Sequence, residues 1–340
     1  MKSYLLKLMM GSPLTRVEAR EAMDLMMRGQ ATPSQIASFL TSLRLKGESV
    51  DELIGFAESL RSHAANIEVS SLQAVDTCGT GGDGGKTFNI STAAAFVIAA
   101  AGIPVAKHGS VAVSGKTGSA EVLQALGMDI QLNPKEAEYM LEKTGLSFLF
   151  APLYHQAMKH VMPIRKELGF RTCFNLLGPL ANPAKVKIQL MGVYDPTLVE
   201  PVAEVFRALG VKRALVVSSL DGLDEITVTD TTRICEVNGD LIYTYEVTPE
   251  ELGVKRSYIH EIAGGDSQFN AALMKRIFNG ERGAPRDVVL LNAGAVLYLT
   301  GQANSIQEGV KQATHLIDAG HVASKLEEVV RYSKEVQHVS

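Results

Sequence analysis

The chain has 340 residues, 46% of them apolar, which is enough for two domains and a large core. Its net charge of −4 excludes a protein built as a whole around nucleic acid. Cys78, Cys173 and Cys235 are too few and too scattered for a disulfide framework or a zinc site, so reduced thiols in a cytoplasmic protein are expected. The longest apolar run, AAAFVIAAAGIPVA, is too short to span a bilayer, and MKSYLLKLMMGSP has no signal-peptide pattern.

Residues 1–66 read as all-helical. Three capping boxes mark helix starts: Thr15-x-x-Glu18, Thr32-Pro33-x-Gln35 and Ser49-x-x-Glu52. Ala22, Met23, Met26 and Met27, then Ile36, Phe39, Leu40 and Leu43, fall at helical spacing and read as core or subunit interface. From about residue 70 the pattern alternates between strands at 72–76, 103–106, 147–151, 188–193 and 213–218 and helices at 92–101, 118–127, 134–144 and 196–209. That alternation predicts an α/β domain with a doubly wound, mostly parallel sheet flanked by helices, beside the small helical domain. Residues 154–168 predict one helix kinked near Pro163, followed by FNLLGPLANP as an irregular loop. A hairpin is expected in ICEV-NG-DLIYTYEV, with Asn238-Gly239 as its turn, and the last 90 residues read as helices packing the sheet.

The most informative stretch is DTCGTGGDGGKTFNIST, residues 76–92. A strand end leads into Gly79, Gly81, Gly82, Gly84 and Gly85, and then into a helix with Ser91 or Thr92 as its expected N-cap. Strand, glycine loop and helix together make an anion cradle of backbone N–H groups. Two familiar phosphate motifs fail. The dinucleotide fingerprint needs an acid about 20 residues on, yet there is none from Gly84 to Ala120; a Walker A loop needs glycine where Thr80 stands. A second basic glycine loop follows in KHGSVAVSGKTGSAEVLQALG, residues 107–127, with Lys107, His108 and Lys116 unopposed by acids. Two such loops joined by one helix suit a ligand phosphorylated at both ends. Cys78, placed in the first loop, reads as a small buried thiol.

GTGGDGGKTFNIST, KHG-x-x-A-V-S-G-K-T-G-S-A, RKELGFRTCFNLLGPLANP at 165–183 and DGLDE at 221–225 together resemble the anthranilate phosphoribosyltransferases, over nearly the whole chain. The resemblance implies a helical domain at 1–68, joined by a helical insertion at about 152–182, and a donor domain made of 69–151 and 183–340. It implies transfer of phosphoribosyl from 5-phosphoribosyl 1-pyrophosphate to anthranilate, with Mg2+ and a homodimer paired through the helical domain. The donor would be held by Gly79, Gly82, Asp83, Thr87, Asn89 and Ile90, and by Ser91, Thr92, Lys107, Ser114, Gly115 and Ser119. The metal would be held by Ser91, Asp224 and Glu225, expected on an exposed loop, with Asp221 less central. The acceptor would meet Gly79, His108, Ser110, His155, Arg165 and Gly178. Arg165 suits its carboxylate, and His108 is the candidate to relay the amine proton. The family usually reads K-H-G-N-R where this chain has Ser110 and Val111, which bears on acceptor affinity. Two rivals stand beside this reading. A pyrimidine-nucleoside phosphorylase would carry K-H-S-T-G-G-V-G-D, which Asp76-Thr77-Cys78-Gly79 does not match. A non-catalytic nucleic-acid-binding relative is opposed by the acidic balance and the intact DGLDE.

Overall fold

Each of the three capping boxes is formed. Thr15, Thr32 and Ser49 cap the helices Arg16–Met27, Pro33–Lys46 and Val50–His63, and Glu18, Gln35 and Glu52 return the bond to the cap backbone. With Lys2–Met9 these helices form a bundle around Met23, Met26, Phe39 and Phe56, the two phenylalanine rings meeting edge-on at 5.8 Å. The computed structural model describes residues 1–69, 72–81, 86–112 and 117–336.

The rest of the chain winds around one seven-stranded sheet. Its strands are β1 (Val75–Gly79), β2 (Val105–Gly109), β3 (Leu146–Phe150), β4 (Ile188–Gly192), β5 (Arg213–Ser219), β6 (Thr232–Asn238) and β7 (Leu241–Val247), in the order β3-β2-β1-β4-β5-β6-β7. The first five are parallel and the last two antiparallel. The order reverses direction between β1 and β4, where the mouth of a doubly wound sheet binds ligands.

Several local expectations shift. β1 starts three residues and β2 two residues later than their apolar pattern suggested, and both end three later, so Cys78, Gly79, Lys107 and His108 are strand residues rather than loop residues. Pairing with β4 and β3 on neighbouring tracks carries the ladder through Gly79 and Gly109, because backbone hydrogen bonding is indifferent to side-chain polarity. The helix after the first loop is Ile90–Ala100 with Asn89 as N-cap, which places Ser91 and Thr92 in its first turn. Asn89 makes no capping bond, since its amide is engaged elsewhere. Residues 154–168 form the end of a helix, Ala151–Tyr154, then a 3₁₀ turn, Gln156–His160, then a helix, Met162–Leu168. Pro163 sits in the first turn of that last helix, where its missing N–H costs nothing, and does not kink it. FNLLGPLANP is likewise not a loop: Phe174–Leu180 is helical with Pro179 near its end. The hairpin turn falls one residue later, on Gly239-Asp240, with Asn238 paired to Leu241 and Gly239 at φ +61°.

Two apolar clusters cover the two faces of the sheet. One holds the alanine-rich helix Ile90–Ala100 under Ala284–Leu299, with Phe96 against Phe278. The other joins the N-terminal bundle to the opposite face, and Val161, Ile164, Leu176 and Leu177 are buried in it beside Ile36 and Phe39. The segment 155–180 therefore hangs over the strand ends from the bundle side. No helix among the described residues is long and apolar enough to cross a membrane.

Candidate active site

A cleft of about 540 Å³ opens at the carboxyl ends of β1 and β2. It is bounded below by the sheet and above by the segment 151–181. All the expected site residues that the structure describes line this single cleft: Gly79, Thr87, Asn89, Ile90, Ser91, Thr92, Lys107, His108, Ser110, Ser119, His155, Arg165, Gly178, Asp224 and Glu225. Gly82, Asp83, Ser114 and Gly115 lie outside the described residues.

On the floor, Lys107 is 3% exposed, and its ammonium donates to Thr77 O at 2.5 Å and to Ser91 Oγ at 3.3 Å. A buried cation needs a counter-charge, and the sequence reading missed it. Asp76, fully buried on β1, accepts from Asn182 Nδ2 at 2.8 Å and from the His108 N–H at 3.4 Å. Burial raises the Asp76 pKa and the Lys107 charge pulls it back. Asn182 also donates to Ala106 O at 2.9 Å, so one amide ties the ends of both strands. Cys78 is buried, within 3.3 Å of Gln189 Nε2. The helices Ile90–Ala100 and Ser119–Leu126 both start at the cleft, with Ser91, Thr92 and Ser119 in their first turns. The Ile90 N–H donates to Phe88 O and the Ala120 N–H to Ser110 O, so it is the remaining first-turn N–H groups of these helix starts that suit a phosphorylated ligand.

Asp224 is not on an exposed loop. It is 8% exposed, and its Oδ2 accepts from the Gly81 N–H at 2.8 Å. The reason lies in two glycines at the switch point. A Cβ on Gly79 would come within 2.2 Å of Asp224 Oδ2, and one on Gly192 within 1.6 Å of Asp224 O. Only bare backbone at both strand ends lets the 221–225 segment cross above them; Gly192 carried no motif that would have revealed it. Glu225 is half-buried beside Asp224, and Ser91 faces the same cleft. Two adjacent carboxylates and a hydroxyl suit magnesium, a hard cation that takes one or two carboxylates and completes its shell from phosphate oxygens and water. Among the described residues no cluster of three or more His, Cys, Asp or Glu side chains could hold a metal by itself. Asp221, by contrast, is exposed and accepts from Ser219 Oγ and Thr229 Oγ1, which closes the turn.

The wall is different in kind. His108 Nδ1 lies 3.1 Å from Gly178 O; a carbonyl only accepts, so Nδ1 carries the proton and Nε2 presents a lone pair. His155 follows Tyr154, which is anchored by its hydroxyl on Leu132 O at 3.0 Å, and its ring bonds the backbone of Ala181. The two rings are 5.0 Å apart, and both Nε2 atoms are buried with no partner among the described residues. Burial holds both imidazoles neutral, pushing His108 down to about 3 and His155 to about 4. Arg165 lies over the Phe174 ring at 5.2 Å, half-buried, and makes no salt bridge among the described residues. Burial lowers its pKa, as expected of a cation lacking a carboxylate. Gly178 faces open space, with nothing within 4 Å of where a Cβ would stand.

Residues 2–64 match the helical bundle domain of a glycosyl transferase family, and residues 71–323 match that family's a/b domain. Over 341 aligned positions the chain is 54% identical to the anthranilate phosphoribosyltransferase of Brevibacillus brevis, covering 100% of both chains. The crystal structure of anthranilate phosphoribosyltransferase from Thermus thermophilus superposes with a TM-score of 0.92 at 40% identity, covering 97% of this chain and 99% of that one. The Saccharomyces cerevisiae enzyme in complex with PRPP and Mg superposes at 0.89 with 26% identity, covering 98% of this chain and 97% of that one.

Proposed function

The chain belongs to the anthranilate phosphoribosyltransferase family, and we infer that it transfers phosphoribosyl from 5-phosphoribosyl 1-pyrophosphate to the amine of anthranilate. The products are N-(5-phosphoribosyl)anthranilate and pyrophosphate, and the place is tryptophan biosynthesis. The observation that carries this reading is one cleft with two unlike sides. A floor of helix N-termini and the buried Lys107 faces a wall that presents Arg165 without a carboxylate partner among the described residues.

On the floor, the first turns of Ile90–Ala100 and Ser119–Leu126 hold the donor's phosphates, with Lys107 between them. Ser91, Asp224 and Glu225, together with donor oxygens, would hold magnesium, which would supply charge neutralisation for the leaving pyrophosphate. On the wall, Arg165 takes the acceptor carboxylate in its planar fork, and Gly178 leaves room for the ring. The aryl amine is neutral at pH 7 and needs no strong base before attack. As the new C–N bond forms, the amine becomes acidic; the Nε2 lone pair of His108 accepts a hydrogen bond from it, and the proton itself passes to the departing pyrophosphate or to water. The imidazole's low proton affinity suits a hydrogen-bond acceptor that orients the amine rather than a general base already charged. Catalysis then rests on placement and on the electrostatics of the floor.

The test is direct. The purified chain with anthranilate, donor and magnesium should consume anthranilate fluorescence; no loss at millimolar donor would overturn the assignment. Phosphorolysis of thymidine or uridine, the competing reaction, is expected to be absent, in line with the names of the relatives.

The chain is further read as a cytoplasmic homodimer. Leu6, Met9, Met10, Val17 and Leu45 are exposed on the N-terminal bundle, which supports pairing of two copies through that face. Light scattering giving a monomer mass at micromolar concentration would remove the dimer. Three buried, unpaired cysteines support a reducing compartment. The helical domain is taken as 1–68 with 152–182 returning to it, and the donor domain as 69–151 and 183–340.

A further inference from the structure

Behind the floor lies a closed ring of hydrogen bonds that no motif announces. Asn270, on the helix Ser267–Phe278, is 2% exposed and does not line the cleft. Its Nδ2 donates to Asn89 Oδ1 at 3.0 Å, and its Oδ1 accepts from the Gly265 N–H at 2.8 Å. Asn89 Nδ2 donates to Thr117 O at 3.1 Å, and Thr117 Oγ1 donates to Gly265 O at 3.0 Å. The ring thus joins the exit of the first glycine loop, at Asn89, to the exit of the second, at Thr117. The segment before Gly265 also packs against Lys86 and Thr87. Gly264 N donates to Lys86 O at 2.9 Å, Thr87 bridges Ala263, and a Cβ on Gly264 would stand 2.4 Å from Thr87 O.

We propose that Asn270 is a positioning residue that sets the span between the two phosphate-holding helix starts at Ile90 and Ser119, and so selects a donor phosphorylated at both ends. This rests on the donor reading above. The helices that start at Ile90 and Ser119 each begin within two residues of the ring. A ligand held at one end needs one loop in place. A ligand held at both ends needs the separation fixed before binding, because ordering it afterwards is charged against affinity. The polarity of the ring is also fixed. Gly265 N–H can only donate and Thr117 C=O can only accept, so neither amide between them can be turned around without losing a bond.

That polarity makes a sharp test. Asn270→Asp keeps the shape and the bond from Gly265, but sets an oxygen against Asn89 Oδ1. Asn270→Asp and Asn270→Ala should therefore raise the KM for 5-phosphoribosyl 1-pyrophosphate by about tenfold or more, while the anthranilate KM moves less than about twofold. Inorganic pyrophosphate and ribose 5-phosphate, each carrying one end, should bind within about twofold of the parent chain by calorimetry. A donor KM that stays put overturns the proposal, as does equal weakening of pyrophosphate and donor, which would mean that Asn270 supports a single loop. Thr117→Val, which removes only the bond to Gly265 O, reads the same span if the Asn270 variants do not fold. It should raise the donor KM by about two- to tenfold, and an unchanged value would again count against the ring. The parent chain is assayed alongside. If it turns over neither substrate, the activity assignment fails; if it turns over normally and the variants match it, only the role of Asn270 falls.

Discussion

The floor and the wall of the cleft are built by different means. The floor is made of backbone: two strand ends, two helix starts and a carboxylate clamped over Gly79 and Gly192. Its buried cation, Lys107, is held in place by Thr77 O and balanced by Asp76. The wall is made of single residues, most of them on short pieces of helix: His155 between two turns, Arg165 on seven residues, Gly178 on another seven, with His108 near the end of β2. A floor of this sort holds a ligand whose charge is large and whose shape is constant. A wall of single side chains reads the detail of a small aromatic ring, and one substitution can retune it. The two sides should therefore answer separately to mutation.

The largest effect is expected on the floor. Asp224→Asn with Glu225→Gln should lower kcat by about 10³-fold and raise the magnesium needed for half-maximal rate, with anthranilate affinity little changed. Because Asp224 also holds the Gly81 N–H, Glu225→Gln alone is the cleaner probe, and Asp224→Asn should cost some stability besides. An unchanged magnesium titration in the double variant would falsify the metal assignment.

Next comes the wall. Arg165→Ala should raise the anthranilate KM by about 30-fold or more, the range of about 2–5 kcal/mol for truncating one partner of a desolvated charge pair. The donor KM should stay within about threefold. Arg165→Lys should recover little, since an ammonium lacks the planar fork. Equal weakening of both substrates would mean that Arg165 positions the segment 155–180 instead of the carboxylate, and the division between floor and wall would break.

Gly178→Ala sharpens the same division. A methyl there meets no protein atom, so the melting temperature should hold, yet it would occupy ring space and cost about 1–3 kcal/mol of acceptor binding. A normal anthranilate KM in this variant would place the ring elsewhere in the cleft.

A smaller effect tests the buried histidines through stability. Both have folded-state pKa values well below the ordinary 6.5. Between about pH 6.5 and 4 the unfolded chain takes up protons that the folded chain refuses, so their contribution is complete above pH 6.5 and is lost as the pH falls. Asp76 has the opposite sign, because burial raises its pKa, so the readout is a difference between chains. The loss of melting temperature from pH 7 to pH 5 should be smaller in His155→Gln than in the parent by about 2 °C or more. Identical pH profiles would show that the imidazole takes up its proton in the folded state.

The smallest effect concerns Ser110, which lines the cleft one residue beyond β2. Ser110→Asn adds an amide that reaches one bond further, and one direct hydrogen bond is worth about 0.5–1.5 kcal/mol. The anthranilate KM should fall by about two- to tenfold, with the donor KM unmoved. If instead the range of ring-substituted anthranilates narrows while the KM for anthranilate holds, the smaller serine serves to admit larger rings. No response of either kind would remove Ser110 from the acceptor site.

By itself the sequence determined whatever depends on neighbours along the chain. The capping boxes at Thr15, Thr32 and Ser49 start helices because cap and N3 residue are three positions apart. Two glycine loops ahead of helices announce phosphate, because the N–H groups that bind it come from consecutive residues. The motifs that resemble the anthranilate phosphoribosyltransferases are likewise local strings, and they were enough to place fifteen described residues on one cleft. What only the tertiary structure decided is whatever joins distant segments. Asn270 meets Asn89 across 181 positions, Asn182 meets Asp76 across 106, and Gly81 meets Asp224 across 143. The glycine at 192 is required only because another loop crosses above it. Propensity also misread Pro163 and Pro179, whose helices are held by burial of Ile164, Leu176 and Leu177 against the bundle. A buried polar contact or a close backbone crossing is a property of two segments at once, and no stretch of either one records the other.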